Sequence, residues 1–211
     1  DINARLSSKM TPDKLDSAHS ELEKSDKLGV TLIPYWEPNY PRLLDSILNP
    51  PPVLYCQGNT DILDRNSIAM VGTRSCSMYG KRVASGLSQA IADAGYVVTS
   101  GLALGIDTSS HEAALEVGGL TTAVLGNGLA NVYPARNRKL AKRVAETGCL
   151  VSEFPLEAVP QRFHFPRRNR VISGLSLATV VVEAGRRSGA LITATWAAEQ
   201  GREVFAIPGQ V

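Results

Sequence analysis

Six short apolar runs, separated by segments that fit helices, constrain the fold of this 211-residue chain more than any other feature. Short continuous apolar runs that alternate with helices are typical of a parallel sheet buried on both faces. We therefore predict an α/β fold, an extended Rossmann-like, doubly wound, mostly parallel sheet with helices on both faces. The six predicted strands are Ile68–Val71, Tyr96–Thr99, Thr121–Leu125, Cys149–Ser152, Ala178–Glu183 and Val204–Ile207.

The first 66 residues follow a different pattern. The stretch 11–28 opens with Thr-Pro-Asp, which supplies an N-cap, a first-turn proline and a first-turn acid, and so predicts a helix. Short strands are predicted at Val30–Tyr35 and Val53–Cys56. We predict that residues 1–66 form a short N-terminal appendage, a helix and linker packed on a main domain of residues 67–211.

Composition excludes several classes of protein. No apolar run reaches the roughly 20 residues of a membrane helix, and the N-terminus lacks the apolar core of a signal peptide, so we expect a cytoplasmic protein. The three cysteines, Cys56, Cys76 and Cys149, are odd in number and too scattered for a zinc cluster. We expect reduced, structural thiols and no bound metal.

The charge of the chain is unevenly distributed. Residues 1–67 carry 7 Lys or Arg against 10 Asp or Glu, whereas residues 136–187 carry 11 basic residues against 4 acidic ones. A basic concentration of this kind favours a polyanionic partner, and a solvated basic surface is the alternative.

The first predicted strand runs directly into a possible phosphate-binding turn. Gly72 allows the backbone to turn tightly, Thr73 and Ser75 add hydroxyl donors, and Arg74 adds a forked cation. Free N–H groups at the start of the next helix also point at any anion above them. An ordinary strand-to-helix corner is the alternative, because the stretch has neither GxGxxG nor a Walker lysine.

Glycine-rich turns also follow later strands. Since the carboxyl ends of parallel strands meet at one rim, these turns are expected to lie beside Gly72 and to line a phosphate-binding groove. The predicted contributors are Gly101 after the second strand, and Arg187, Ser188 and Gly189 after the fifth.

The stretch 161–170 interleaves aromatic rings with arginines. Rings can stack on bases while guanidinium groups hold the backbone, a composition that favours single-stranded nucleic acid. We predict a DNA-binding loop here, followed by a helix from about Val171. Two alternatives stay open: one of the two phenylalanines belongs to the core, and Asn169 or Arg170 is only a cap or a buried pair. The candidate residues are Arg162, Phe163, His164, Phe165, Arg167, Arg168, Asn169 and Arg170.

Taken together, these motifs resemble the DNA-processing protein A family, also called Smf, of bacterial transformation proteins. The resemblance spans about residues 30–211. The matching motifs include Val71-Gly-Thr-Arg74, the stretch 100–107, Phe165-Pro-Arg-Arg-Asn-Arg170 and the stretch 188–193.

This resemblance implies a protein that binds single-stranded DNA in a basic pocket, protects incoming DNA and helps to load the RecA recombinase during natural transformation. It implies no enzymatic activity and no cofactor, and it implies a homodimer formed through the C-terminal part. The region around Trp196–Glu199 would then contact RecA. Family members often carry further domains at both ends, so we expect a fragment whose C-terminal end is truncated.

An enzyme of the Lonely Guy type, a nucleotide-binding phosphoribohydrolase with a similar fold, is the alternative function. Its Pro-Gly-Gly-x-Gly-Thr-x-x-Glu motif is absent, because the loop after the fifth strand is Glu183-Ala-Gly-Arg-Arg-Ser-Gly-Ala190. We expect His111 to serve packing or hydrogen bonding and not catalysis.

Overall fold

The computed structural model describes residues 11–186 and 188–209. Its centre is one eight-stranded sheet. The strands are β1 (Thr31–Pro34), β2 (Val53–Gly58), β3 (Ser67–Gly72), β4 (Val97–Ser100), β5 (Thr121–Leu125), β6 (Cys149–Ser152), β7 (Ala178–Glu183) and β8 (Glu203–Ala206). Their spatial order is β1-β2-β6-β5-β4-β3-β7-β8, which confirms the predicted Rossmann-like sheet.

The order of the strands creates one point at which the chain changes direction. From β3 the strands β4, β5 and β6 are added on one side, all parallel, and the chain then crosses to place β7 and β8 on the other side of β3. In open α/β sheets, ligands bind at the carboxyl ends of the strands where this change occurs. Here that crevice lies between the ends of β3 and β7.

Helices cover both faces of the sheet. They are α1 (Pro12–Lys27), α2 (Arg42–Asp45), α3 (Met78–Asp93), α4 (Ile106–Glu116), α5 (Arg138–Thr147), α6 (His164–Gly174) and α7 (Gly189–Glu199). Alternation along β3 separates the two layers: Met70 packs in a cluster with Ala84 and Ile106, whereas Ala69 and Val71 pack in a cluster with residues of α6. Thus α3 and α4 lie on one face and α6 lies on the other.

The six predicted strands of the main domain each begin and end within one residue of the structure's strands. The start of α6 is a correction, because this helix begins at His164 and not near Val171. Pro166 occupies its third position, where the missing N–H costs no intrahelical hydrogen bond. Most of the predicted loop 161–170 is therefore helical, and its arginines point in directions fixed by the helix.

Residues before position 67 contribute to the same sheet. β2 pairs antiparallel with β6, and β1 pairs antiparallel with β2. On the α6 side, Leu44 and Ile47 lie so close to Gly174 that a Cβ there would meet Leu44 at 2.8 Å. The division of the chain at residues 66 and 67 stays a prediction.

Two of the three free cysteines, Cys56 and Cys149, are buried on the neighbouring strands β2 and β6. A hydrogen bond with Cys149, together with burial, raises the pKa of the Cys56 thiol. Cys76 is half-buried. Among the residues described, no helix is both long enough and apolar enough to cross a membrane.

Candidate nucleic-acid interface

A cavity of about 590 Å³ opens at the crevice between the ends of β3 and β7. Its walls come mainly from the loop after β3, the first turn of α7 and the side of α6 that carries Phe165, Arg168 and Asn169. A smaller cavity of about 60 Å³ adjoins it and shares Arg74, Ala103, Tyr133, Phe165 and Arg168 with it. The predicted residues that line the larger cavity are Gly72, Thr73, Arg74, Ser75, Arg162, Phe165, Arg168, Asn169, Ser188 and Gly189.

The loop after β3 is held on both sides by backbone hydrogen bonds. Thr73 donates its N–H to the carbonyl of Glu183 at 2.7 Å and accepts from the N–H of Ile106 at 3.2 Å. Farther along, the Glu183 carboxylate accepts from the hydroxyl of Ser77 at 2.8 Å and from its N–H at 3.1 Å. The same Ser77 hydroxyl caps α3 by accepting from Gly80. The loop is thus tied to β7 and to α4.

Two glycines in this region are required by close approach. A Cβ on Gly72 would lie 2.4 Å from the side chain of Ile106. Gly105 has φ +80°, and a Cβ there would lie 2.3 Å from the carbonyl oxygen of Thr73. Because Gly72 has no side chain, α4 can pack closely against the loop. Gly72 thus has a packing role in addition to the turn that the sequence predicted.

Arg74 lies at the rim of the cavity, exposed, with its guanidinium 5.4 Å from the centre of the Phe165 ring. Phe165 in turn lies 5.8 Å from the ring of Tyr133. A cation over an aromatic face is attracted by the ring's quadrupole, which orients the guanidinium without neutralising it. No ion pair involves Arg74 or Arg162 in the part of the chain that the structure describes. Both cations are thus available to an anion.

The first turn of α7 forms the opposite wall. Ser188 caps the helix, its hydroxyl accepting from the N–H of Ala190 at 3.3 Å. Asn169 of α6 donates from its side-chain amide to the carbonyl of Gly189 at 3.1 Å, which fixes the start of α7 against α6. Helix N-termini carry free N–H groups and a partial positive charge, so this wall suits an anion.

Arg168 lies beneath the cavity and is only 5% exposed. Its Nη1 donates to the carbonyl of Gly101 at 2.6 Å and to the carbonyl of Val124. A Cβ on Gly101 would collide with this guanidinium at 2.4 Å. Arg168 thus joins the ends of β4 and β5, and Gly101 is a glycine because the guanidinium needs its space.

Asp107 completes this buried layer. Its carboxylate accepts from the N–H groups of Gly101 and Ala103 at 3.1 and 3.2 Å. Burial raises the pKa of Asp107, and the charge of Arg168 acts against that increase. Burial also lowers the pKa of Arg168 to about 10, so the guanidinium remains charged at neutral pH. The N–H of Gly101 is used inside the protein and is not free for phosphate.

His111 is fully buried in the same layer, with Nδ1 2.6 Å from the hydroxyl of Thr121. Burial, with a further contribution from the charge of Arg168, lowers the pKa of His111 to about 3. The imidazole is therefore neutral at physiological pH. Its Nε2 is buried without a partner among the described residues.

Arg167 and Arg170 point away from the cavity towards Glu153, which follows β6. Arg170 is 8% exposed and donates to the Glu153 carboxylate at 2.5 Å and to the carbonyl of Asn49 at 2.9 Å. Arg167 pairs with the same carboxylate at 2.9 Å and is half-exposed. Of the alternatives given for Arg170, a buried ion pair is the one observed, because its guanidinium is already paired with the Glu153 carboxylate.

Phe163 and His164 also lie outside the cavity lining. Phe163 is 64% exposed just before α6, and His164 is 8% exposed and stacked on Phe154 at 4.0 Å between ring centres. His164 is thus an interior ring and offers no face to a base. Of the two phenylalanines proposed for stacking, only Phe165 lines the cavity.

The predicted site residues do not all line the larger cavity. Arg187 lies outside the described residues, Gly101 lines the small cavity, and four candidates line neither: Phe163, His164, Arg167 and Arg170. Three further residues line the larger cavity and were not predicted from the sequence: Tyr133, Ile192 and Thr193. Tyr133 could have been found from the rule that residues after a parallel strand lie at its carboxyl edge, since the loop that holds it follows β5.

Comparison with known proteins places the whole arrangement in one family. The family model described as DNA recombination-mediator protein A matches residues 31–211. DNA processing protein DprA of Bacillus subtilis is 46% identical over 184 residues, which are 87% of this chain and 62% of that protein. The chain thus spans somewhat less than two thirds of this relative's length.

Two solved structures have the same fold. The crystal structure of DNA processing protein A from Streptococcus pneumoniae matches with a TM-score of 0.83 and 41% identity, over 86% of this chain and 64% of that one. A structure that describes the single-stranded DNA binding mode of the Helicobacter pylori protein matches with a TM-score of 0.79 and 30% identity, over 86% and 82% of the two chains. With the family model, these similarities show that the chain belongs to the DNA recombination-mediator protein A family, as the motifs predicted.

Proposed function

We propose that this chain binds single-stranded DNA in the cavity between β3 and β7. The observation that carries the proposal is the pairing of two unneutralised cations, Arg74 and Arg162, with the Phe165 ring around a cavity of about 590 Å³. Cations and aromatic faces together suit a strand whose bases are unstacked, because guanidinium groups bind phosphate and rings stack on bases. The same fold in a relative described as binding single-stranded DNA supports the assignment.

A cavity favours single strands over duplex for a geometric reason. Bases inside a duplex are stacked and cannot enter a recess, whereas a free strand can place individual bases against a ring. Backbone donors and guanidinium groups surround this recess, and few side-chain amides are placed to read base edges. We therefore expect little dependence on base sequence.

A larger role follows from the family. We propose that the whole protein protects incoming DNA in the cytoplasm during natural transformation and delivers it to RecA, which agrees with the description of the family as recombination mediators. We assign no catalytic step to the cavity. Asp107 already accepts two internal hydrogen bonds, and His111 is fully buried and lines neither cavity.

We also propose that two copies associate through the C-terminal part of the chain. Large apolar side chains are exposed on α7 and β8, namely Leu191, Ile192, Val204 and Phe205. Apolar groups left exposed together mark association surfaces. Light scattering during gel filtration measures the mass directly, and a monomer at all concentrations would contradict this part of the proposal.

The binding proposal is tested by titrating the protein with a fluorescent oligothymidylate and with duplex of equal length. The single strand is expected to bind more tightly, with affinity that falls steeply with salt. Phe165→Leu should weaken single-strand binding by roughly 5- to 150-fold, since stacking on a ring is worth about 1–3 kcal/mol per base. Phe163→Leu is the matched control and should change little.

Equal binding of both forms, or no binding, would overturn the proposal. Release of free base from a nucleoside monophosphate would instead favour the phosphoribohydrolase alternative.

A further inference from the structure

A second basic surface lies beside the cavity, on helix α5 and the turn that leads into it. Five cations fall within eight residues, and all are exposed: Arg136, Arg138, Lys139, Lys142 and Arg143. None of them forms an ion pair within the described residues 11–186 and 188–209. The single acid of the helix that is exposed with them, Glu146, leaves the surface strongly positive.

The helix places these cations on one side because its other side is buried. Leu140, Ala141 and Val144 pack in a core cluster with residues of β5 and β6. Positions three and four apart are neighbours on a helix, so Lys139 lies next to both Lys142 and Arg143. Like charges at these spacings repel one another, and an anion laid along them would remove that repulsion.

The dipole of helix α5 further disfavours the cations at its N-terminal end. Arg138 and Lys139 occupy the first turn of α5, and that turn contains no acid. The N-terminal end of a helix carries a partial positive charge, which favours acids there and disfavours cations. The charge placement is therefore unfavourable for the isolated protein and favourable for a bound polyanion.

The start of α5 is fixed to the cavity. Asn137, the residue before the helix, donates from its side-chain amide to the carbonyls of Leu102 and Ala103 at 2.8 and 3.3 Å. Ala103 lines both cavities, and so does Tyr133, four residues before Asn137. The basic surface thus begins at the cavity rim and continues along a helix about 15 Å long.

We propose that α5 carries the sugar-phosphate backbone of the strand where it leaves the cavity. The inference rests on the proposed function and adds a path: bases are held at Phe165, and the following phosphates lie along Lys139, Lys142 and Arg143. At the 3.4 Å spacing of phosphates along one strand of a duplex, the helix accommodates at most about four of them.

The test compares Lys139→Gln/Lys142→Gln with a control that removes the same charge elsewhere, Lys27→Gln/Arg65→Gln. Lys27 and Arg65 are exposed, and Arg65 precedes the amino end of β3, at the opposite edge of the sheet from the cavity. Glutamine is a good helix former, so α5 should stay folded, and thermal melts check this. Binding is measured with oligothymidylates of increasing length at several salt concentrations.

For long strands, the α5 variant should bind about 25-fold more weakly at 0.1 M salt, and its salt slope should fall by about 1.4, since each lost phosphate contact removes about 0.7 from the slope. The difference from wild type should disappear at the shortest length that binds, and the control should match wild type throughout. Failure of the wild type to bind any single strand would refute the proposed function itself. An equal loss at every length, or no loss, would refute only the path along α5.

Discussion

The arginines around the cavity form two groups that sequence composition cannot distinguish. Arg168 and Arg170 are buried, and both donate hydrogen bonds to protein carbonyls, with a further bond from Arg170 to the Glu153 carboxylate. Arg74 and Arg162 are exposed, and no ion pair joins either one to the described part of the chain. The difference shows that a basic segment can serve the fold and the ligand at once, with the direction of each side chain deciding which.

The largest effect on stability is expected from replacing Arg168, which belongs to the buried group. Arg168→Ala should lower the free energy of unfolding by about 3–5 kcal/mol, because it removes the charge opposite buried Asp107 and leaves two carbonyls without their donor. Urea unfolding at neutral pH measures the change. Arg162→Ala is the matched exposed control and should stay within about 0.5 kcal/mol of wild type. If the two variants unfold alike, the division into groups is wrong.

A second prediction concerns how the stability of the folded protein changes with pH because of the buried His111. The pKa of His111 is lowered to about 3 in the folded protein, so below its ordinary value of 6.5 the unfolded chain binds a proton that the folded protein does not. Stability from this group is therefore complete above pH 6.5 and declines as the pH falls towards 3. Between pH 6.5 and 5 the loss should be about 1.6 kcal/mol, because the slope is half of 1.36 kcal/mol per unit of pH at pH 6.5 and approaches the full value towards pH 5.

This pH effect is isolated by comparing His111→Gln with wild type. The variant should lose less stability over the same interval, whereas His19→Gln, a change at an exposed histidine of α1, should keep the wild-type slope. Asp107 and Glu153 have raised pKa values and act in the opposite direction, but they are present in all three proteins and do not affect the difference. Identical slopes for His111→Gln and wild type would show that His111 is protonated in the fold.

The smallest effect is expected from replacing Arg74, which belongs to the exposed group of arginines. Arg74→Ala should leave the thermal melt unchanged and weaken single-strand binding about 5-fold at 0.1 M salt, with a salt slope smaller by about 0.7. Arg65→Ala, which removes one exposed charge from the opposite edge of the sheet, should bind like wild type. An Arg74 variant that unfolds, or that binds with an unchanged slope, would move Arg74 into the structural group.

Much of the fold was predictable because a buried parallel strand has a distinctive pattern. Continuous apolar runs located the strands, and the rule that ligands bind at carboxyl ends then located the Gly72 loop and the Ser188 cap. The start of α6 was hidden by Pro166, which resembles a helix breaker in a sequence although its position in the first turn allows it.

The roles of the arginines were not predictable for a related reason. Once α6 was interpreted as a loop, no helical period could separate the side of Arg168 from that of Arg167. Glu153 is 14 and 17 residues from its two partners, and the carbonyl acceptors of Arg168 belong to β5 and the end of β4. Such contacts depend on tertiary packing, which spacing along the chain does not contain.

The hydrogen bonds around Thr73 have a consequence for the kinetics of recognition. Because β7 and α4 already hold the loop after β3, an arriving strand does not have to order that loop before contact. Preorganised sites lose little conformational entropy on binding, and association then approaches the rate of rigid-body docking. Selectivity among strands of different length should therefore appear in how long each complex lasts rather than in how fast it forms.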